Sequence, residues 1–296
     1  MSLLQQTKQL CQDYHIKPVR SRGQNFLIEE GIYEKVIEAA DLKKDDVVLE
    51  VGSGLGFLTI KLAKKVKKVI AVEIDKKLAE ILQTRLQKEG ISNVEVVNAD
   101  ILTSPLAPLL IRRGRGAERR GRGYKIVANL PYNISSRFIR KFLAEVADKP
   151  KLMILMLQAE VVDRLVAKSG NMSLLAVSAQ MYADIKKIAK VSADCFWPKP
   201  KVESAIVNLT RLRHPLLTKE RAGGEVEDKF FKLVKAGFKA KRKQLQGNLK
   251  KELKVDKEVI KEILIKNNLP EKVRAQELSL DDWHNIYLAL DKRNVL

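Results

Sequence analysis

The chain has 296 residues, 45% hydrophobic and 31% charged, which is enough to bury a sizeable core in roughly two domains. Its 56 lysines and arginines outnumber 36 acidic residues, and the resulting formal charge of +20 attracts polyanions, although a basic solubilising surface gives the same excess. The two cysteines, Cys11 and Cys195, are too few and too far apart for a disulfide framework or a zinc site, and the opening residues show neither an export signal nor a bilayer-length apolar run, so the sequence predicts a cytoplasmic protein without membrane association.

From Asp45 to Leu209 short apolar runs alternate with helical patterns, the signature of stacked βαβ units. Strands are predicted at Val47–Val51, Val69–Glu73, Val94–Asn98, Ile126–Ala128, Leu152–Leu157, Ile185–Val191 and Ala205–Leu209. They form one doubly wound, mostly parallel α/β sheet. After a break at Arg213-His214-Pro215 the strand signals stop, and amphipathic helices are predicted at Asp228–Phe238, Leu245–Leu253, Lys257–Lys266 and Leu280–Leu290. The expected division is therefore a domain over 1–212, with an N-terminal arm, and a small helical domain over 213–296. The stretch Arg112–Gly123, rich in arginine and glycine, has no hydrophobic periodicity and reads as a loop at the sheet edge opposite the strand carboxyl ends; an auxiliary RNA grip and a solvated insertion are equally compatible with it.

The first predicted strand ends in Glu50-Val-Gly52-Ser-Gly54-Leu-Gly56, a glycine-rich strand-to-helix turn where a ligand can approach the backbone. Its G-x-G-x-G spacing is not the G-x-G-x-x-G of dinucleotide folds. The second strand ends at Glu73, placed to accept hydrogen bonds from a ribose diol, and the third leads to Asp100, placed to accept from an exocyclic adenine amine. Three such strand ends in register describe an adenosine-shaped crevice.

The fourth strand runs into Asn129-Leu-Pro-Tyr132-Asn-Ile-Ser. An adenine N6 amine is a poor nucleophile because its lone pair is delocalised into the ring. The Asn129 side-chain oxygen and the Leu130 carbonyl can accept its two hydrogens, favouring a pyramidal nitrogen, while Pro131 stiffens the turn and Tyr132 stacks on the base. No general base is needed before displacement when the methyl donor carries its own leaving group. Phe196, in Phe196-Trp-Pro-Lys-Pro-Lys, either closes the opposite face of a splayed-out adenine or plugs the core.

In these residues the chain resembles the adenine N6,N6-dimethyltransferases of small-subunit ribosomal RNA. The likeness spans nearly the whole chain: Gly23-Gln-Asn25-Phe-Leu27, Glu50–Gly56, Glu73, Asp100, Asn129–Ser135, Gln158–Leu165 and Phe196–Ala205. It implies a Rossmann-like methyltransferase sheet and S-adenosylmethionine as cofactor, held by Asn25, Leu27, Gly52, Glu73, Asp100 and Asn129. It further implies a catalytic set of Asn129, Leu130, Tyr132 and Phe196, and two transfers to each of two adjacent adenines near the 3′ end of small-subunit rRNA during maturation of the particle.

Resistance-type methylases of large-subunit rRNA share most of these motifs, whereas Phe238–Leu249 and Arg274–Leu280 resemble the small-subunit branch, which we favour. The stretch Gly170–Ser178 lacks a tyrosine expected of the family, and Arg112–Gly123 is not a feature of it. Lys235, Lys239, Lys241, Arg242, Lys243, Lys250 and Lys251 crowd the start of the helical domain and suit phosphate contacts, or a solvated face. A non-catalytic assembly or transcription factor on the same fold is the remaining alternative. His15, His214 and His284 show no metal spacing, no metal is expected, and we expect a monomer.

Overall fold

A computed structural model describes residues 1–19, 23–104, 123–212 and 224–296. Most of the Arg112–Gly123 stretch, and the break at 213–215, lie outside the described residues. Val47-Val-Leu-Glu-Val51 is buried at every position, as a strand covered on both faces must be. It forms β2, and pairs in parallel with β3 (Lys68–Glu73) on one side and β5 (Lys125–Asn129) on the other. Parallel pairing continues outward to β4 (Val94–Asn98) from β3 and to β6 (Leu152–Gln158) from β5. An antiparallel β9 (Ser204–Arg211) follows β6, and β7 (Ala183–Val191) completes the order β4-β3-β2-β5-β6-β9-β7. All seven predicted strands are present, with ends shifted by no more than two residues.

The strand order reverses between β2 and β5. In a doubly wound sheet the helices after these strands leave toward opposite faces, so a crevice opens at the strand carboxyl ends. Helices α1 (Leu3–Asp13), α2 (Glu30–Ala39), α3 (Phe57–Ala63) and α4 (Lys76–Lys88) share an apolar cluster with Val48, Val69, Ala71, Val127, Ile154, Met156 and Ile206 of the sheet. Local chemistry sets their starts: Ser2 and Gln5 form a capping box on α1, and Asp75 accepts from Lys77 N–H at 3.0 Å and Leu78 N–H at 3.4 Å on α4. A second, two-stranded sheet pairs β1 (Phe26–Leu27) with β8 (Phe196–Trp197), antiparallel.

The chain divides into two compact units, residues 1–162 with 184–211 and residues 163–183 with 212–296. This differs from a linear division at 212/213, because residues 163–183 group with the C-terminal helices. Within the second unit, Ser169 Oγ donates to the Glu277 carbonyl, and Gly170 N–H and Met172 N–H both donate to the Gln276 carbonyl at 3.0 Å. The remaining helices of this unit are Leu174–Gln180, Gly224–Gly237, Leu245–Leu253, Lys257–Lys266 and Leu280–Asp291. Trp283 is fully buried, and a β-carbon at Gly237 would stand 2.3 Å from its ring, so glycine permits that packing.

At the amino ends of the central strands, Asp46 (6% exposed) accepts from Lys125 Nζ at 2.8 Å and Lys151 Nζ at 2.7 Å, and Lys125 also donates to the Ala40 carbonyl at 2.8 Å. Burial pushes the Asp46 carboxyl up, but the two ammonium groups and the Lys43 N–H outweigh it and hold the pKa below the ordinary value. Asp46→Asn would leave the Lys125 charge buried without its counterion, a loss of about 3–5 kcal/mol. Urea unfolding followed by circular dichroism should show it. A carboxyl with a depressed folded pKa stabilises fully above its unfolded value, about 3.9, and loses that contribution as pH falls through the folded value, so the wild-type excess over Asp46→Asn should vanish in strong acid.

Candidate active site

The carboxyl ends of β2, β3 and β5, the turns that follow them and the segment Gly23–Leu27 enclose a cavity of ≈ 840 Å³. Asn25, Leu27, Gly52, Glu73, Asp100, Asn129, Leu130, Tyr132 and Phe196, the nine residues singled out from the sequence, all line it.

Gly52, Gly54 and Gly56 all have positive φ, at 72°, 54° and 83°. At Gly56 a β-carbon would lie 2.3 Å from Leu82 Cδ1, so this glycine lets α3 begin close against α4. Gly52 faces the Asn129 carbonyl and the Pro131 ring, both 3.6 Å from where its β-carbon would be. The Glu73 carboxylate, 5% exposed, accepts from Gly54 N–H at 2.8 Å and Asp75 N–H at 3.0 Å. Burial raises its pKa and these amides oppose the rise. A carboxylate offers about four lone-pair sites, so acceptor capacity remains beyond these amides. Asp100 Oδ1 caps the Leu102 N–H at 2.8 Å, and Ile74, 62% exposed, offers an apolar surface between these two acids in the sequence of strand ends.

Glu50 sits deeper. It is 2% exposed, and its Oε2 finds no hydrogen-bond partner among the described residues; neither does the Oγ of buried Ser53. Burial pushes the Glu50 carboxyl up to about 8; Thr59 pulls against this and the nearby Glu73 adds to it. An orphaned acid lining a cavity suits a cationic ligand group. Sequence reasoning gave Glu50 no role, although it opens the glycine motif.

On the other side of the switch point, Leu130 N–H donates to the Met156 carbonyl at 3.2 Å, which fixes the peptide plane after Asn129. The Ile134 N–H and the Ser135 hydroxyl then close the turn on the Pro131 carbonyl, at 3.2 and 3.4 Å. The Tyr132 hydroxyl lies 2.8 Å from Ser204 Oγ, so the ring is tethered to the start of β9, and burial raises its pKa. Phe196, 3% exposed, is held by its pairing with Leu27 in the β1–β8 sheet. Ser204 carries no sequence signal, being 72 residues from its partner. Among the described residues no group of three or more His, Cys, Asp or Glu could hold a metal, and no helix is long and apolar enough to cross a membrane.

Residues 17–292 match the model of the family described as ribosomal RNA adenine dimethylase. A ribosomal RNA small subunit methyltransferase A from Dehalococcoides mccartyi is 39% identical over 287 residues, 97% of this chain and 93% of that protein. Its counterpart in Alkaliphilus oremlandii is 38% identical over 280 residues, 94% of this chain and 93% of that protein. Among solved structures, a dimethyladenosine transferase from Plasmodium falciparum and the 23S rRNA methyltransferase ErmE each superpose with a TM-score of 0.71 at 28% identity, over 90% of this chain and 97% and 100% of theirs. With a cavity at the strand carboxyl ends and the Asn129–Tyr132 turn in its lining, this near full-length match settles the kinship: the chain belongs to the ribosomal RNA adenine dimethylase family.

Proposed function

We propose that this protein transfers methyl groups from S-adenosylmethionine to N6 of two adjacent adenines near the 3′ end of small-subunit ribosomal RNA, giving N6,N6-dimethyladenosine, and that it acts as a cytoplasmic monomer on the maturing small-subunit particle. The observation that carries this reading is one cavity lined both by the acids Glu73 and Asp100 and by the Asn129–Tyr132 turn. Near-equal likeness to ErmE keeps a large-subunit substrate as the second reading, and the small-subunit relatives at 38–39% identity favour the first.

The sulfonium cofactor supplies a methyl group already bonded to a good leaving group. The chain's own work is alignment. Glu73 and Asp100 would hold the adenosine, Gly52 and the segment Asn25–Leu27 would flank the rest, and Glu50 would face positive charge. The Asn129 side-chain oxygen and the Leu130 carbonyl accept the N6 hydrogens of the target base, Tyr132 stacks on one face and Phe196 closes the other. Donors and acceptors fixed beforehand need no rearrangement as charge shifts from sulfur to nitrogen.

In the second unit Lys235, Lys239, Lys241, Arg242, Lys243, Lys250 and Lys251 are all exposed. We read this unit as the RNA-binding domain, gripping phosphate without choosing sequence.

Labelled methyl transfer to separated small and large subunits lacking these modifications tests the reading. Label confined to small-subunit adenines, falling by roughly 10²–10³-fold in Asn129→Ala, is expected; label in the large subunit would move the protein to the resistance branch. Replacing Lys241, Arg242 and Lys243 together by glutamine should weaken particle binding and flatten the slope of log K against log salt by up to about 3, leaving cofactor binding unchanged.

Glu50 adds a pH signature. Its carboxyl is neutral in the free cavity below about pH 8, so binding a cation there releases a proton. The ratio of wild-type to Glu50→Gln affinity for S-adenosylmethionine should therefore rise with pH, by up to about tenfold per unit, and level off above about 8. Taking the ratio cancels titration of the ligand's own amine. A ratio independent of pH would remove Glu50 from the cofactor's surroundings.

A further inference from the structure

The segment Gly23–Ile28 touches several separate parts of the cavity lining. A β-carbon at Gly23 would lie 3.1 Å from Pro131 Cβ, and one at Gly54 would lie 3.4 Å from the Phe26 ring. Gln24 Nε2 donates to Asp75 Oδ2 at 3.2 Å, and Asp75 N–H in turn donates to Glu73. Leu27 pairs with Phe196 and Phe26 with Trp197, and the Ile28 N–H donates to the Cys195 carbonyl at 2.8 Å. One short segment thus contacts the adenosine end, the glycine turn, the Asn129 turn and the strand carrying Phe196.

The β1–β8 pairing is only two residues long, and a two-stranded ribbon even of ordinary length is marginal in water. It therefore depends on what holds its strands from outside. On the β1 side that support is burial of Phe26 and Leu27 in the apolar cluster and a polar anchor, Tyr33 on the first turn of α2, whose buried hydroxyl donates to the Leu27 carbonyl at 3.0 Å. Ile32 and Val36 already supply apolar anchors for α2, so the hydroxyl is not needed to pack the helix. Burial, with the neighbouring Glu50 and Glu30, keeps the Tyr33 phenol neutral at any working pH, so it is always a donor.

We propose that Tyr33 is a positioning residue: through the Leu27 carbonyl it holds the β1–β8 pairing closed, so that the cofactor end of the cavity and Phe196 are set together before either ligand binds. The proposal rests on the site reading above, in which Leu27 flanks the cofactor and Phe196 the base. A paired and an open β1–β8 ribbon are the two states. A ligand pressing on either strand favours the paired state, so wherever the open state is populated each ligand strengthens the other by the same factor.

The test is calorimetric titration of the full-length protein with S-adenosylhomocysteine, alone and in the presence of unmodified small subunits. The wild type, its ribbon already held paired, should bind with affinities within about twofold whether or not the particle is present. In Tyr33→Phe affinity for S-adenosylhomocysteine alone should fall about fivefold or more and be largely restored by the particle, a pattern that loss of stability does not produce. Where Tyr33→Phe does not fold, hydrogen exchange at the wild-type Ile28 amide decides, since either ligand should slow it several-fold and both together more. Unchanged affinity in Tyr33→Phe, a loss of affinity that the particle does not restore, or an Ile28 amide indifferent to both ligands overturns the proposal. Failure of S-adenosylhomocysteine to bind at all would instead overturn the cofactor reading beneath it.

Discussion

In the parallel pairing of β2 with β3 and with β5, Glu50 lies opposite Ala71 on one side and Val127 on the other, so that Glu73 and Asn129 stand two residues further toward the carboxyl edge. A one-residue slip in either ladder would turn one of these side chains to the other face of the sheet. The register is fixed because both faces of β2 are buried, leaving no solvent face onto which a slipped strand could place its apolar residues. The whole site hangs on that register, since Glu73, the glycine turn and Asn129 come from three separate strands and meet only where their ends align.

Burial then gives those ends their chemistry. Glu73 keeps its place through two backbone N–H groups, whereas Glu50 has an oxygen with none, and both carboxyls are pushed upward by loss of water. A buried acid without a partner is costly to ionise, and a cation lowers that cost. The deep part of the cavity therefore suits a positively charged donor, while Lys76, Lys77 and Arg137 along its lining are exposed.

Much of this was legible in the amino-acid order because it is local. Val47–Val51 and Val94–Asn98 read as strands from their β-branched runs, and Leu245–Leu253 and Lys257–Lys266 as helices from their apolar spacing, to the residue. The nine cavity residues lie at strand ends or in short motifs whose spacing is visible. What was not legible is non-local. The β1–β8 pairing joins two-residue strands about 170 residues apart, too short to show a period, and Ser204 bears no mark of its contact with Tyr132. Likewise nothing in the composition of 163–183 announces that it groups with helices beyond 212.

The contrast between basic exterior and acidic interior bears on substrate choice. A formal charge of +20 draws phosphate from any direction, which favours RNA without distinguishing one site from another. Only the buried end of the cavity is acidic, lined by Glu50 and Glu73, while Lys76, Lys77 and Arg137 of its lining are exposed. A phosphate driven to that end would meet acidic groups already stripped of water, while in the proposed reading a neutral base meets an amide, a carbonyl and two aromatic rings. The same field that holds a nucleic acid on the surface thus admits only its uncharged part to the reacting centre, and the base must leave its stack to get there. In the proposed reading, selection of the adenine then falls to hydrogen bonds at Asn129 and Leu130, and a carbonyl-bearing base edge would set acceptor against acceptor at the Leu130 carbonyl.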